Sequence, residues 1–111
     1  MRKKSMPELQ RKSAEEFRKS EKTPVIVVLD NVRSMHNVGS VFRTADAFLL
    51  EAVHLCGYTP KPPHREIQKT ALGATETVTW KYFQTTEESV KEVQEAGYEV
   101  WAVEQVHGSV L

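Results

Sequence analysis

A chain of 111 residues with 15 Lys or Arg against 15 Asp or Glu carries no net charge, and 40% hydrophobic with 27% charged residues is ordinary globular usage. That length supports one modest core, and no apolar run reaches the length of a membrane-spanning helix. The lone Cys56 excludes a disulfide framework, and the basic start Met1-Arg2-Lys3-Lys4 lacks the apolar core of a secretory signal, so a cytoplasmic protein is expected.

The charge is unevenly spread. Residues 1–24 hold eight Lys or Arg (Arg2, Lys3, Lys4, Arg11, Lys12, Arg18, Lys19, Lys22) against four Glu, a net +4, which leaves −4 on the remainder. Ser5-Met6-Pro7-Glu8 reads as a capping box with Pro in the first turn, predicting a helix over 5–21. Residues 1–22 are therefore expected to be a basic helical extension, either a solvated face or a contact for a phosphate backbone, and residues 23–111 the N-terminal part of a domain.

Pro24-Val25-Ile26-Val27-Val28-Leu29 is a continuous β-branched apolar run, the pattern of a parallel strand buried on both faces. After a polar loop, Val38, Val41, Phe42, Ala45, Phe48 and Leu49 recur at helical spacing and predict a buried stripe on a helix capped by Asn37. Gly39 and Arg43 would share the opposite face, so that Arg43 leans back over a turn left bare by Gly39 and makes, with Asn37 and the first-turn amides, an anion-binding concavity. The competing reading is a plain cap, a plain glycine and an Arg43–Asp46 surface pair at i,i+3.

Ala52-Val53-His54-Leu55-Cys56-Gly57 is the next strand, with Cys56 an inert buried thiol. The proline-stiffened loop 58–65 bears Lys61, His64 and Arg65, which suits a polyanion. A short helix is predicted within 66–74, an edge-like strand over 77–83, a helix over 86–96 stopped by Gly97, and a further strand over 98–103. Trp80, Tyr82, Phe83 and Trp101 occupy strand positions and read as core rather than as base-stacking residues. Glu87, Glu88, Glu92, Glu95 and Glu99 mark a solvated outer face. His54 and Cys56 share a strand face without a second ligand pair, so no metal site is expected, and neither Ser34 nor Ser40 lies in a nucleophile elbow.

Asn37-Val38-Gly39-Ser40-Val41-Phe42-Arg43-Thr44-Ala45 resembles the N-x-G-x-x-x-R-x-A motif of the SpoU (TrmH-like) RNA 2′-O-ribose methyltransferases, and Lys69-Thr70-Ala71-Leu72-Gly73-Ala74 resembles their K-x-x-x-G-A segment, with Ala71 where many members carry Ser. The resemblance runs from about Thr23 to Leu111. It implies an α/β, parallel-sheet, Rossmann-like knot fold of which the C-terminal knot-forming part is missing, because the chain stops before the family's second and third motifs. It further implies a homodimer, S-adenosylmethionine as methyl donor, and a ribose 2′-hydroxyl of transfer or ribosomal RNA as acceptor. On this resemblance Arg43 and Asn37 are the catalytic residues, Gly39 admits the ribose, Lys61, His64, Arg65 and Lys69 contact RNA, and Glu104 and Gln105 form the rim of the cofactor pocket. The alternatives are a non-catalytic RNA-binding module and a Rossmann-like nucleotide binder, the latter without a glycine-rich fingerprint.

Overall fold

A computed structural model describes residues 22–103. Three parallel strands, β1 (Thr23–Asp30), β2 (Leu50–Cys56) and β3 (Trp80–Phe83), lie in the order β1-β2-β3. Helix α1 (Met35–Ala47) connects β1 to β2. Between β2 and β3 come α2 (Arg65–Ala71) and a 3₁₀ turn (Ala74–Glu76), and α3 (Thr86–Glu95) follows β3. This is the Rossmann-like α/β arrangement expected. The predicted basic helix over 5–21 lies outside the described residues.

The central strand explains the layering. Successive side chains of β2 point to opposite faces, and every residue from Ala52 to Cys56 is buried. Val53 and Leu55 join Leu29, Val38, Phe42, Ala45, Ile67 and Ala71 in the main core beneath α1 and α2. His54 and Cys56 face the other way, toward α3, where His54 Nδ1 lies 2.8 Å from the buried Ser89 Oγ. Trp80 packs edge-on to Phe42, with ring centroids 6.5 Å apart, and Tyr82 also packs on this core, as predicted for both.

Helix ends follow local chemistry. Thr85 and Glu88 form a capping box at the start of α3, and Gly97, with φ +95°, lies just past its end. Leu72, in the left-handed region, closes α2, the short helix predicted within 66–74, and a separate 3₁₀ turn follows at Ala74–Glu76.

Two expectations are corrected. Phe48 leaves the predicted stripe: α1 ends at Ala47, and Phe48, its C-cap residue, is 67% exposed. Residues 98–103 form no strand; they run beside β1 along a groove lined by Val25, Val27 and Leu29, without ladder hydrogen bonds. Trp101 is 79% and Val103 87% exposed, so Trp101 is not core. An apolar pattern supplies β propensity, but a strand also needs a hydrogen-bonded neighbour, and none pairs with this segment among the described residues.

Candidate active site

The sheet delivers its polar loops at the carboxyl ends of the strands, where ligands of open α/β sheets bind. Asn31 leaves β1 with φ +54°; its Oδ1 accepts from Tyr58 N–H at 2.7 Å and its Nδ2 donates to Asp30 Oδ1 at 3.0 Å. The buried Thr59 hydroxyl accepts from Val32 N–H at 3.0 Å and lies within 3.1 Å of the Leu29 carbonyl and 2.8 Å of the Cys56 carbonyl. Tyr82 donates to the Gly57 carbonyl at 2.8 Å. These bonds clip the exits of all three strands together.

Helix α1 starts from that clip, and its cap is Ser34, not Asn37. The Ser34 hydroxyl accepts from Asn37 N–H at 3.1 Å, which puts Asn37 inside the first turn with its side chain exposed and not needed for capping. The S-x-x-N spacing is the signal that would have identified Ser34.

Gly39 does not leave a bare turn. It is buried against α2, and a Cβ built there would lie 1.9 Å from Thr70 Oγ1 and 2.5 Å from the Ile67 carbonyl oxygen. Helices α1 and α2 approach so closely that only glycine fits between them, and the expected opening for a ribose is filled by protein. Thr70 tightens the contact by donating to the His36 carbonyl at 3.1 Å. The adjacent Lys69 is exposed on α2 and lies 3.6 Å from Glu66.

Arg43 is exposed and makes no hydrogen bond or ion pair among the described residues. The Arg43–Asp46 pair of the competing reading is not among the ion pairs of the described residues; Asp46 accepts from Thr77 at 2.9 Å. The remaining basic candidates are dispersed along the β2–α2 connection. Lys61 Nζ stands 4.3 Å over the Tyr82 ring, His64 caps α2 with Nδ1 accepting from Glu66 N–H at 3.4 Å, and Arg65 is exposed as the first residue of α2. Glu104 and Gln105 lie outside the described residues.

On the opposite face of the sheet, burial lowers the His54 pKa from its ordinary value, with Glu92 acting the other way and Lys81 in the same direction. Burial pushes the Cys56 thiol up, against hydrogen bonds from Ser89 and Thr86 that pull it down, so the thiol stays protonated. Among the described residues no group of three or more His, Cys, Asp or Glu is arranged to hold a metal, and no helix is long and apolar enough to cross a membrane.

A sequence model of the SpoU rRNA Methylase family matches residues 24–111, spanning the strand, the Asn37–Arg43 helix and the Lys69–Ala74 segment. The chain belongs to that family. Among curated SpoU-type relatives, a 23S rRNA (guanosine-2′-O-)-methyltransferase RlmB from Vibrio vulnificus is 32% identical over 81 residues, covering 73% of this chain and 32% of the relative. The same enzyme from Vibrio cholerae is 35% identical over 80 residues, 72% of this chain and 32% of the relative. That from Haemophilus influenzae is 30% identical over 100 residues, 86% of this chain and 39% of the relative. The chain thus spans about a third of the length of the curated relatives it matches.

Proposed function

We propose that the full-length protein transfers a methyl group from S-adenosylmethionine to a ribose 2′-hydroxyl of ribosomal RNA, acting as a cytoplasmic homodimer. The observation that carries this reading is Arg43, a cation without an acidic partner among the described residues, on the same helix as the exposed Asn37. RNA, and ribosomal RNA in particular, is the substrate named for the RlmB relatives.

The charge of the site assigns it to the acceptor. Arg43, Asn37 and Lys69 offer cations and an amide, which attract a phosphodiester and repel a sulfonium. These residues do not fit the methyl donor, for which Glu104 and Gln105 are proposed as the rim. When bound, the donor supplies an electrophilic methyl.

Arg43 does not act as a base, because a guanidinium keeps its proton in proteins. Its fork binds the phosphate beside the target ribose and stabilises the alkoxide that develops on the 2′-oxygen, while the proton leaves to that phosphate or to water. Asn37 orients Arg43 and the first turn of α1. Gly39 supports the site through helix packing. Lys69, Lys61, His64 and Arg65 hold the RNA backbone.

The test is methyl incorporation into ribosomal RNA fragments by the full-length protein. Arg43→Ala lowers turnover by at least about a hundredfold, the scale of losing one oxyanion-stabilising donor, with an unchanged circular dichroism spectrum. Arg43→Lys also fails, because a point charge does not replace the planar fork. Normal turnover by folded Arg43→Ala removes Arg43 from the chemistry and leaves a binding module.

A further inference from the structure

Tyr58 is 73% exposed, yet the backbone on either side of it is fixed by close contacts. Its own N–H is held by Asn31 Oδ1 at 2.7 Å. Gly57, with φ +64°, is so close to Asn31 that a Cβ would meet Oδ1 at 2.1 Å, and Thr59 is buried with its hydroxyl committed to both strand ends. An aromatic ring presented to solvent from so fixed a loop is held out by its neighbours, not left there by slack. Apolar area of this kind is ordinarily turned inward, since burying a ring stabilises a fold by roughly 1.5–3 kcal/mol.

The ring is also electrostatically prepared. The Arg33 guanidinium carbon stands 5.1 Å from its centroid, and beside it Lys61 Nζ stands 4.3 Å over Tyr82, whose hydroxyl is bonded to the Gly57 carbonyl. Two cation–aromatic pairs therefore sit together at the carboxyl ends of the strands. Both Tyr58 and Tyr82 border a crevice that continues to Gln84 and Gln94 on the α3 side. Arg33 immediately precedes Ser34, the cap of the helix that carries Asn37 and Arg43.

From this arrangement we propose that Tyr58, backed by Arg33, is a stacking subsite for an unpaired nucleobase of the RNA substrate. The inference rests on the RNA-methylation reading for its substrate class. Aromatic faces and guanidinium planes are the surfaces on which splayed single-stranded bases stack, and the same cations take the adjoining phosphates. A protein partner would be expected to use a broader apolar patch than one ring set among polar loops.

Fluorescence anisotropy of a labelled single-stranded oligoribonucleotide, titrated with the full-length protein, tests the proposal when repeated with an abasic oligonucleotide of the same length. Tyr58→Ala weakens binding of the intact strand by about tenfold, Tyr58→Phe stays within about twofold of the unsubstituted protein, and neither changes affinity for the abasic strand. Arg33→Gln weakens binding to both strands and lowers the salt slope. Equal losses on intact and abasic strands, no loss with Tyr58→Ala, or no binding by the unsubstituted protein each overturn the subsite. Tyr58-dependent binding without any methyl transfer overturns the proposed activity and leaves the subsite standing. Arg43-dependent methylation with Tyr58-independent binding does the reverse.

Discussion

Gly39 and Thr70 share one space: the side chain that Gly39 lacks would lie 1.9 Å from the Thr70 hydroxyl oxygen, and that hydroxyl uses the gap to reach the His36 carbonyl at 3.1 Å. The glycine of the N-x-G motif and the threonine of the K-x-x-x-G-A segment are therefore two halves of one helix–helix contact. It holds the first turns of α1 against α2.

Gly39→Ala is accordingly expected to lower stability by about 1–3 kcal/mol, the range for forcing atoms into a packed interface. Combining it with Thr70→Ala restores only part of the loss, because the Ile67 carbonyl oxygen remains 2.5 Å from the new Cβ. Urea denaturation of both variants checks this. Full recovery in the double variant would show that the backbones can separate freely.

Thr59→Val keeps the shape of the side chain and removes a buried hydroxyl that serves Val32 N–H and the ends of β1 and β2. Stability should fall by about 1–3 kcal/mol, the cost of leaving buried polar groups unpaired. The loss is expected to concentrate in the strand-exit loops, read as faster amide exchange at Val32 than at β2. Uniform acceleration across the sheet would contradict the clip.

Burial lowers the His54 pKa in the folded protein, so the unfolded chain takes up a proton first as pH falls. Stability contributed by neutral His54 is intact above its ordinary value of 6.5 and declines below it until the lower folded value is reached. Urea midpoints between pH 8 and pH 5 should show this decline, and His54→Asn, which keeps an amide near Ser89, should flatten it. Identical slopes for the two proteins would assign the decline to other groups.

Deleting residues 1–22, with their net +4, should weaken RNA binding and flatten its dependence on salt, since each phosphate contact made by Lys or Arg releases counterions. The thermal transition of the remainder should persist, because the cut precedes β1. An unchanged salt slope would exclude the segment from RNA contact.

Much of the candidate site was legible before any tertiary contact was known. The apolar run 24–29, the stripe through Val38, Phe42 and Ala45 and the polar segment between them place Asn37 and Arg43 on the helix that follows the first strand, and β1, α1 and β2 form there. But β1 is not buried on both faces as expected: it is an edge strand among the described residues, with Leu29 its one buried residue. The cap was misread: Asn37 was expected and Ser34 does the capping. Thr59 and Tyr58 carried no local signal, because their meaning depends on partners in the β1 exit loop some 27 residues away.

The sequence by itself determined the type of each element from β1 to α3 and most of their apolar faces, because periodicities of 2 and 3.6 are short-range properties of the chain. It also determined the Asn37–Arg43 spacing, which a single helix enforces. Tertiary structure alone decided what covers each face: α2 over Gly39, Ser89 against His54, solvent over Phe48, and no strand paired with residues 98–103 among those described. The reason is physical. A pattern states that a surface is suited to burial or pairing, whereas the neighbour that completes it comes from a distant part of the chain and leaves no mark on the local sequence.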